Sequence, residues 1–161
     1  MKREASATHD IVRPLINDLR KNTWPEHHSQ SQDGILDDHF VERDGVLFAG
    51  THLILDFWGA KNLDDLDRME STLRRCVDQC DATLLHIHLH HFTPNGGISG
   101  VAVLAESHIS VHTWPERDFA AFDIFMCGQA KPEEAIGVLK RAFTPRTMQI
   151  TENLRGVVNH A

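Results

Sequence analysis

The stretch from Gly96 to Gly128, GGISGVAVLAESHISVHTWPERDFAAFDIFMCG, holds most of the residues able to do chemistry in this chain. It gathers Ser99, Glu106, Ser107, His108, His112, Glu116, Asp123 and Cys127. A serine near histidines suits nucleophilic chemistry, because an imidazole can take the hydroxyl proton as the oxygen attacks. The setting is not that of a serine hydrolase: Ser107 stands in A-E-S-H, and there is no G-x-S-x-G elbow. Taken alone, any one of these residues reads as a turn or a hydrogen-bonded strand position. A second concentration is LLHIHLHHF, which puts His86, His88 and His90 on one strand face with His91 adjacent. The chain has 12 histidines and no tyrosine, which favours proton transfer or metal binding over an ordinary surface composition.

Elements able to position these residues follow from the apolar spacing. Residues 46–58 are β-rich and apolar, as in a buried strand. Residues 62–80 predict a helix, with Leu66, Met69, Leu73, Cys76, Val77 and Cys80 on one face and Asp64 and Asp65 in its first turn. Residues 82–92 alternate as a strand and 93–97 form a turn. Residues 98–105, 107–114 and 118–127 are further strands, and 147–153 a last one. Pro132 opens a helix that Pro145 ends. Consecutive strands with short connections predict a mainly antiparallel sheet with two helices on one face, an α+β two-layer sandwich. The other face then needs an active-site cleft or a second subunit to cover it. Residues 1–45 read as an extension, with a short helix around Ile11 to Leu19, and 46–161 as the functional domain. Ser107 and His112 are five apart, so a regular strand points them to opposite faces. A bend or bulge near 107–108 is expected if both are to meet one substrate.

Composition removes several classes. A chain of 161 residues with 41% hydrophobic content supports one domain with a real core. The net charge of -7 argues against nucleic acid and anionic membrane surfaces as partners. No apolar run approaches the roughly 20 residues that span a bilayer, and no signal-like block follows the N-terminus, so the expected compartment is the cytoplasm. Cys76, Cys80 and Cys127 are too few and too odd for a disulfide framework, and each is expected as a free thiol.

Four ordered blocks carry a resemblance: GISGV (97–101), AESH (105–108), HTWPE (112–116) and AAFDIFMCG (120–128). They are similar to the pattern of the prokaryotic S-adenosylmethionine decarboxylase proenzymes. Weaker similarity runs from GTHLILDFWGA at Gly50 to about residue 150. The resemblance implies self-cleavage between Glu106 and Ser107, with Ser107 becoming a pyruvoyl group. That group would condense with the amine of S-adenosylmethionine and accept the electrons released with carbon dioxide, as pyridoxal phosphate does elsewhere. By position, the resemblance assigns His112 to the elimination step of processing and Ser99 to assistance in it. It assigns Cys127 as proton donor to the substrate carbon, Glu116 to the ribose hydroxyls and Phe92 to the adenine. This chain has one residue more between Phe92 and Ser99 than that pattern. The glycines at 96, 97 and 100 are expected to let backbone approach the reacting bond closely. The resemblance also implies a homodimer of cleaved protomers; no metal is expected among the site residues, since no cysteine or carboxylate spacing completes the histidines.

Two rivals stand beside this reading. Pyruvoyl chemistry needs only an α-amino acid, so arginine or ornithine is an alternative substrate. Alternating histidines can bind zinc or nickel, so a non-enzymatic histidine-rich metal-binding protein is the rival of another class. Asp123 reads as a structural hydrogen-bond or ion-pair residue.

Overall fold

The computed structural model describes residues 11–12 and 40–158. In chain order the elements are β1 (Ile11–Val12), β2 (Val41–Arg43), β3 (Val46–Phe48), β4 (Gly50–Trp58), α1 (Leu66–Gln79), β5 (Leu84–His91), β6 (Ile98–Leu104), β7 (Ser107–Trp114), β8 (Phe119–Cys127), α2 (Glu134–Phe143) and β9 (Thr147–Arg155). The main sheet has seven strands in the order β1-β9-β4-β8-β7-β6-β5, and β2 and β3 form a separate hairpin. Every pairing in the main sheet is antiparallel except β1 with β9. This is the α+β two-layer sandwich that the spacing predicts.

Strand periodicity separates the two faces. On β4, Leu53, Leu55 and Phe57 are buried while Ile54 and Trp58 are exposed. On β8, Ala120, Phe122, Ile124 and Met126 are buried, and the alternate residues point away from the helices. Both helices cover the first face. Met69, Leu73, Cys76, Val77 and Cys80 of the first helical segment join Val138, Leu139 and Phe143 of α2 in one core. Phe122 lies between Phe57 and Phe143, with centroid separations of 5.3 and 5.9 Å. Each such large side chain contributes about 2–3 kcal/mol by leaving water.

Local signals account for most element ends. Asp65 caps α1, its Oδ1 accepting from the Arg68 amide at 2.9 Å, so it precedes the helix rather than sitting in its first turn. Pro132 lies in the turn before α2, which begins at Glu134. The strand expected over 46–58 is broken at Ala49. Asp44 and Gly45, at φ 54° and 75°, close the β2–β3 hairpin, and Ala49 then hands the chain to the main sheet through its amide and the Arg155 carbonyl. Ordered structure therefore begins before residue 46, inside the expected extension. Ile11 and Val12 are extended and pair with Ile150 and Thr151, not helical. The rest of the expected helix at Ile11 to Leu19 lies outside the described residues. Among the described residues no helix is long and apolar enough to cross a membrane.

Candidate active site

The sheet face turned away from the helices carries most of the predicted site residues, and they fall at its two ends. At one end the two-residue turn Ala105–Glu106 joins β6 to β7, pairing Leu104 with Ser107. Glu106 sits at φ 66°, a left-handed conformation that strains a residue with a side chain by roughly 1 kcal/mol or more. The strain lies directly against the Glu106–Ser107 peptide. Ser107 Oγ accepts a hydrogen bond from the Cys127 amide at 3.1 Å. Glu106, Ser107, Cys127, Gly128 and Lys131 line a cleft of about 490 Å³. Burial pushes the Cys127 thiol up, and the Glu106 carboxylate pushes it in the same direction. The thiol therefore holds its proton at neutral pH, as a proton donor must. Lys131 is paired with Asp81 at 2.7 Å and is held above its usual value by that carboxylate.

At the other end Ser99 and His112 lie opposite each other on β6 and β7, with Ser99 Oγ 2.8 Å from His112 Nδ1. Phe92, Ser99, Trp114 and Glu116 border a second cleft of about 340 Å³. Glu116 is carried there by the 3-10 turn Pro115–Arg117, which reverses the chain into β8. Thr113 supports this end from below: its hydroxyl donates to the Leu63 carbonyl at 2.9 Å and accepts from the Ile98 amide at 2.8 Å. Above it the rings of Trp58, Phe119 and Trp114 form a row, with centroids 4.2 and 5.3 Å apart. Trp58 and Trp114 are exposed.

The expected bend does not occur. Pairing along β7 is unbroken with β6 from Ser107 to His112 and with β8 from His108 to Trp114. Five residues of regular strand separate Ser107 from His112 by about 17 Å, and the two side chains leave opposite faces. The structure thus unites Glu106, Ser107 and Cys127 at one end, and Phe92, Ser99, His112 and Glu116 at the other. Regular pairing with β6 and β8 leaves no unpaired residue to form a bulge. The glycines also have another role. A Cβ on Gly100 would lie 2.2 Å from the His88 carbonyl, so that glycine serves the β5–β6 contact, away from the Glu106–Ser107 bond.

His86, His88 and His90 face Val103, Val101 and Ser99 across β6. Among the described residues no group of three or more His, Cys, Asp or Glu side chains is gathered closely enough to hold a metal ion. Asp123 accepts from Ser110 Oγ and pairs with His52 Nε2, both at 3.3 Å. His52 and Arg155 belong to the same face and carry no motif in the sequence. Neither lies in the four blocks, and their proximity depends on β4 pairing with both β8 and β9.

Residues 51–156 match the S-adenosylmethionine decarboxylase family. The chain belongs to that family. It is 42% identical over 110 residues to the S-adenosylmethionine decarboxylase proenzyme of Thermomicrobium roseum, covering 68% of this chain and 95% of that one. The proenzyme of the same name from Methanococcus maripaludis is 42% identical over 113 residues, covering 68% and 92%. Among solved structures, the adenosylmethionine decarboxylase of Aquifex aeolicus superposes with a TM-score of 0.62 at 28% identity, covering 71% of this chain and 96% of that chain. In this member of the decarboxylase family the match begins one residue into β4, so the β2–β3 hairpin lies outside it.

Proposed function

We propose that this chain is a proenzyme that cuts itself between Glu106 and Ser107 and then decarboxylates S-adenosylmethionine. The products are S-adenosylmethioninamine and carbon dioxide, and the product serves polyamine (spermidine) biosynthesis. The observation carrying this reading is Ser107 at the first position of β7, directly after a strained Glu106 and bonded to the Cys127 amide.

Processing needs only this chain's atoms and water. Ser107 Oγ attacks the Glu106 carbonyl carbon, and the acyl group passes from nitrogen to oxygen, turning the amide into an ester. Removal of the residue 107 Cα proton then breaks the Cβ–Oγ bond and releases Glu106 as a carboxylate. Hydrolysis of the remaining dehydroalanine frees ammonia and leaves a pyruvoyl group. The residues present fit that group: the freed end lies in a cleft beside a protonated thiol. When formed, the ketone supplies an electron sink for the electrons left by carbon dioxide. Cys127 then holds the proton destined for the substrate carbon. Glu116 accepts hydrogen bonds from ribose hydroxyls, and Phe92 and Trp114 offer faces for a purine.

Because one protomer separates its two clusters, the reading includes a homodimer with shared sites. A two-fold axis lying between two open sheet faces, and running across the strands near Ser110 and Asp123, exchanges the ends. One copy's Cys127, and residue 107 once cleavage frees it to turn, then meet its partner's Ser99, His112 and Glu116. Packed sheets stand about 10 Å apart, leaving space for a nucleoside between them.

The test is denaturing electrophoresis with intact-mass measurement. Wild type should give two fragments, residues 1–106 and a downstream chain with a pyruvoyl cap, and Ser107→Ala a single uncut chain. Carbon dioxide release should occur with S-adenosylmethionine and not with arginine or ornithine. An uncut, active wild-type chain overturns the mechanism.

A further inference from the structure

The open face contains a row of positions that complements an amino-acid zwitterion. Gly50 pairs with Cys127 on one side and Arg155 on the other, and continuing the β7–β8 register places Glu106 opposite Cys127. Across four strands the row reads carboxylate, thiol, bare backbone, guanidinium. Gly50 is obligatory here: a Cβ would meet the Met126 carbonyl at 2.7 Å and the Phe125 ring at 3.0 Å. The edge of the Phe125 ring leans over this glycine, so between the thiol and Arg155 the row is floored by backbone and bounded on one side by that ring.

Arg155 is held toward that row. Its Nη1 lies 3.3 Å from His52 Nδ1, which places the guanidinium over β4 instead of away from the sheet edge. Arginine has no acceptor, so His52 Nδ1 accepts and the ring proton sits on Nε2. That proton is donated to Asp123 Oδ1, at 3.3 Å. Asp123 fixes the His52 tautomer, and His52 fixes the guanidinium. The remaining N–H groups of Arg155 form a planar fork suited to a carboxylate.

We infer that Arg155 binds the α-carboxylate of the substrate over Gly50, with Asp123 and His52 as its positioning residues. The assignment rests on the decarboxylase reading above. With the carboxylate on Arg155, the α-carbon lies over Cys127 and the amino group points to residue 107. Adjacent strands stand about 4.8 Å apart, so the span from Cys127 to Arg155 is about 10 Å at the backbone. An extended arginine covers the part of that span beyond a bound amino-acid head.

The test uses the self-cleaved enzyme and two ligands that differ by the carboxylate alone, S-adenosylmethionine and its decarboxylated product. Arg155→Met should raise KM for the substrate about 10–100-fold, the loss of a charge-assisted pair, while the inhibition constant of the product moves less than about twofold. Arg155→Lys should fall between. His52→Ala should raise the same KM about threefold to tenfold, with no further rise when added to Arg155→Met, because the two act in one chain. Equal loss for both ligands, or no loss for either, overturns the assignment. A wild-type chain that releases no carbon dioxide sinks the decarboxylase reading instead. The two ligands are then compared by equilibrium dialysis, where Arg155→Met must still lose affinity for the carboxylate-bearing one alone.

Discussion

The two ends of the open sheet face differ in what they contribute. The Ser107 end holds the atoms proposed to react: a strained peptide, a hydroxyl bonded to a neighbouring strand, and a thiol kept protonated. The His112 end holds a serine–histidine pair, a glutamate and a row of aromatic rings, but no thiol. The first is built from a turn and strand ends, where backbone can be distorted without breaking a ladder. The second is built on the opposite strand ends, the Pro115–Arg117 turn and a buttressing threonine, whose hydroxyl ties β6 and β7 to the Leu63 carbonyl. Each end lacks what the other has, and about 17 Å of regular strand separates them. The face between them exposes Ile54, Trp58, Val103 and Trp114, whereas the helix side buries its apolar residues almost completely. Two incomplete ends on one uncovered face support the proposal that a second copy finishes the site.

The sharpest way to break that comparison is a mixed dimer. Ser107→Ala and His112→Ala should each be inactive alone. Co-expressed, about half the dimers pair the two variants, and each mixed dimer regains one of its two sites. Decarboxylation should return to about a quarter of wild type. No recovery in mixed dimers, verified by differential tagging, means that each chain carries its site unaided.

Much of this was legible in the residues. The alternation in residues 118–127 and the 3–4 spacing of Leu66 to Cys80 fix sheet and helix, because burial on one face imposes those periods. The four blocks named the residues at both ends of the face, but spacing along a strand does not say which residues share a site. Ser107 and His112 are close in sequence and far apart in space for the reason that β7 is regular. The Asp-Gly pair at 44–45 is a strong hairpin signal that was absorbed into an apparent extension. Gly50, His52 and Arg155 were not readable at all. Their relation is set by a register between strands about 100 residues apart.

A smaller effect separates the two ends by stability. Thr113 is buried, and its hydroxyl serves both the Ile98 amide and the Leu63 carbonyl. Thr113→Val keeps the shape and orphans both groups. It should lower unfolding free energy by about 2–3 kcal/mol, read as a fall in the denaturant midpoint at unchanged slope. A change under about 0.5 kcal/mol means that the Ser99–His112 end is pinned by other contacts.

The smallest expected effect concerns the thiols. Burial is the first cause raising Cys76 and Cys80, each pushed from 9.0 up to about 12, while Cys127 is raised by burial and Glu106 from a half-exposed position. All three raised values favour the protonated thiol in the folded state. Stability is therefore intact below pH 9 and falls between 9 and 12, where the unfolded chain ionises first. Iodoacetamide at about pH 9 should modify Cys127 alone in native protein, and faster in Glu106→Gln, which removes the negative neighbour. Mass mapping of the alkylated peptides reads both. Modification of Cys76 or Cys80 before unfolding would show that the helix layer opens as readily as the reacting end, and the distinction between a sealed core and a working thiol would fail.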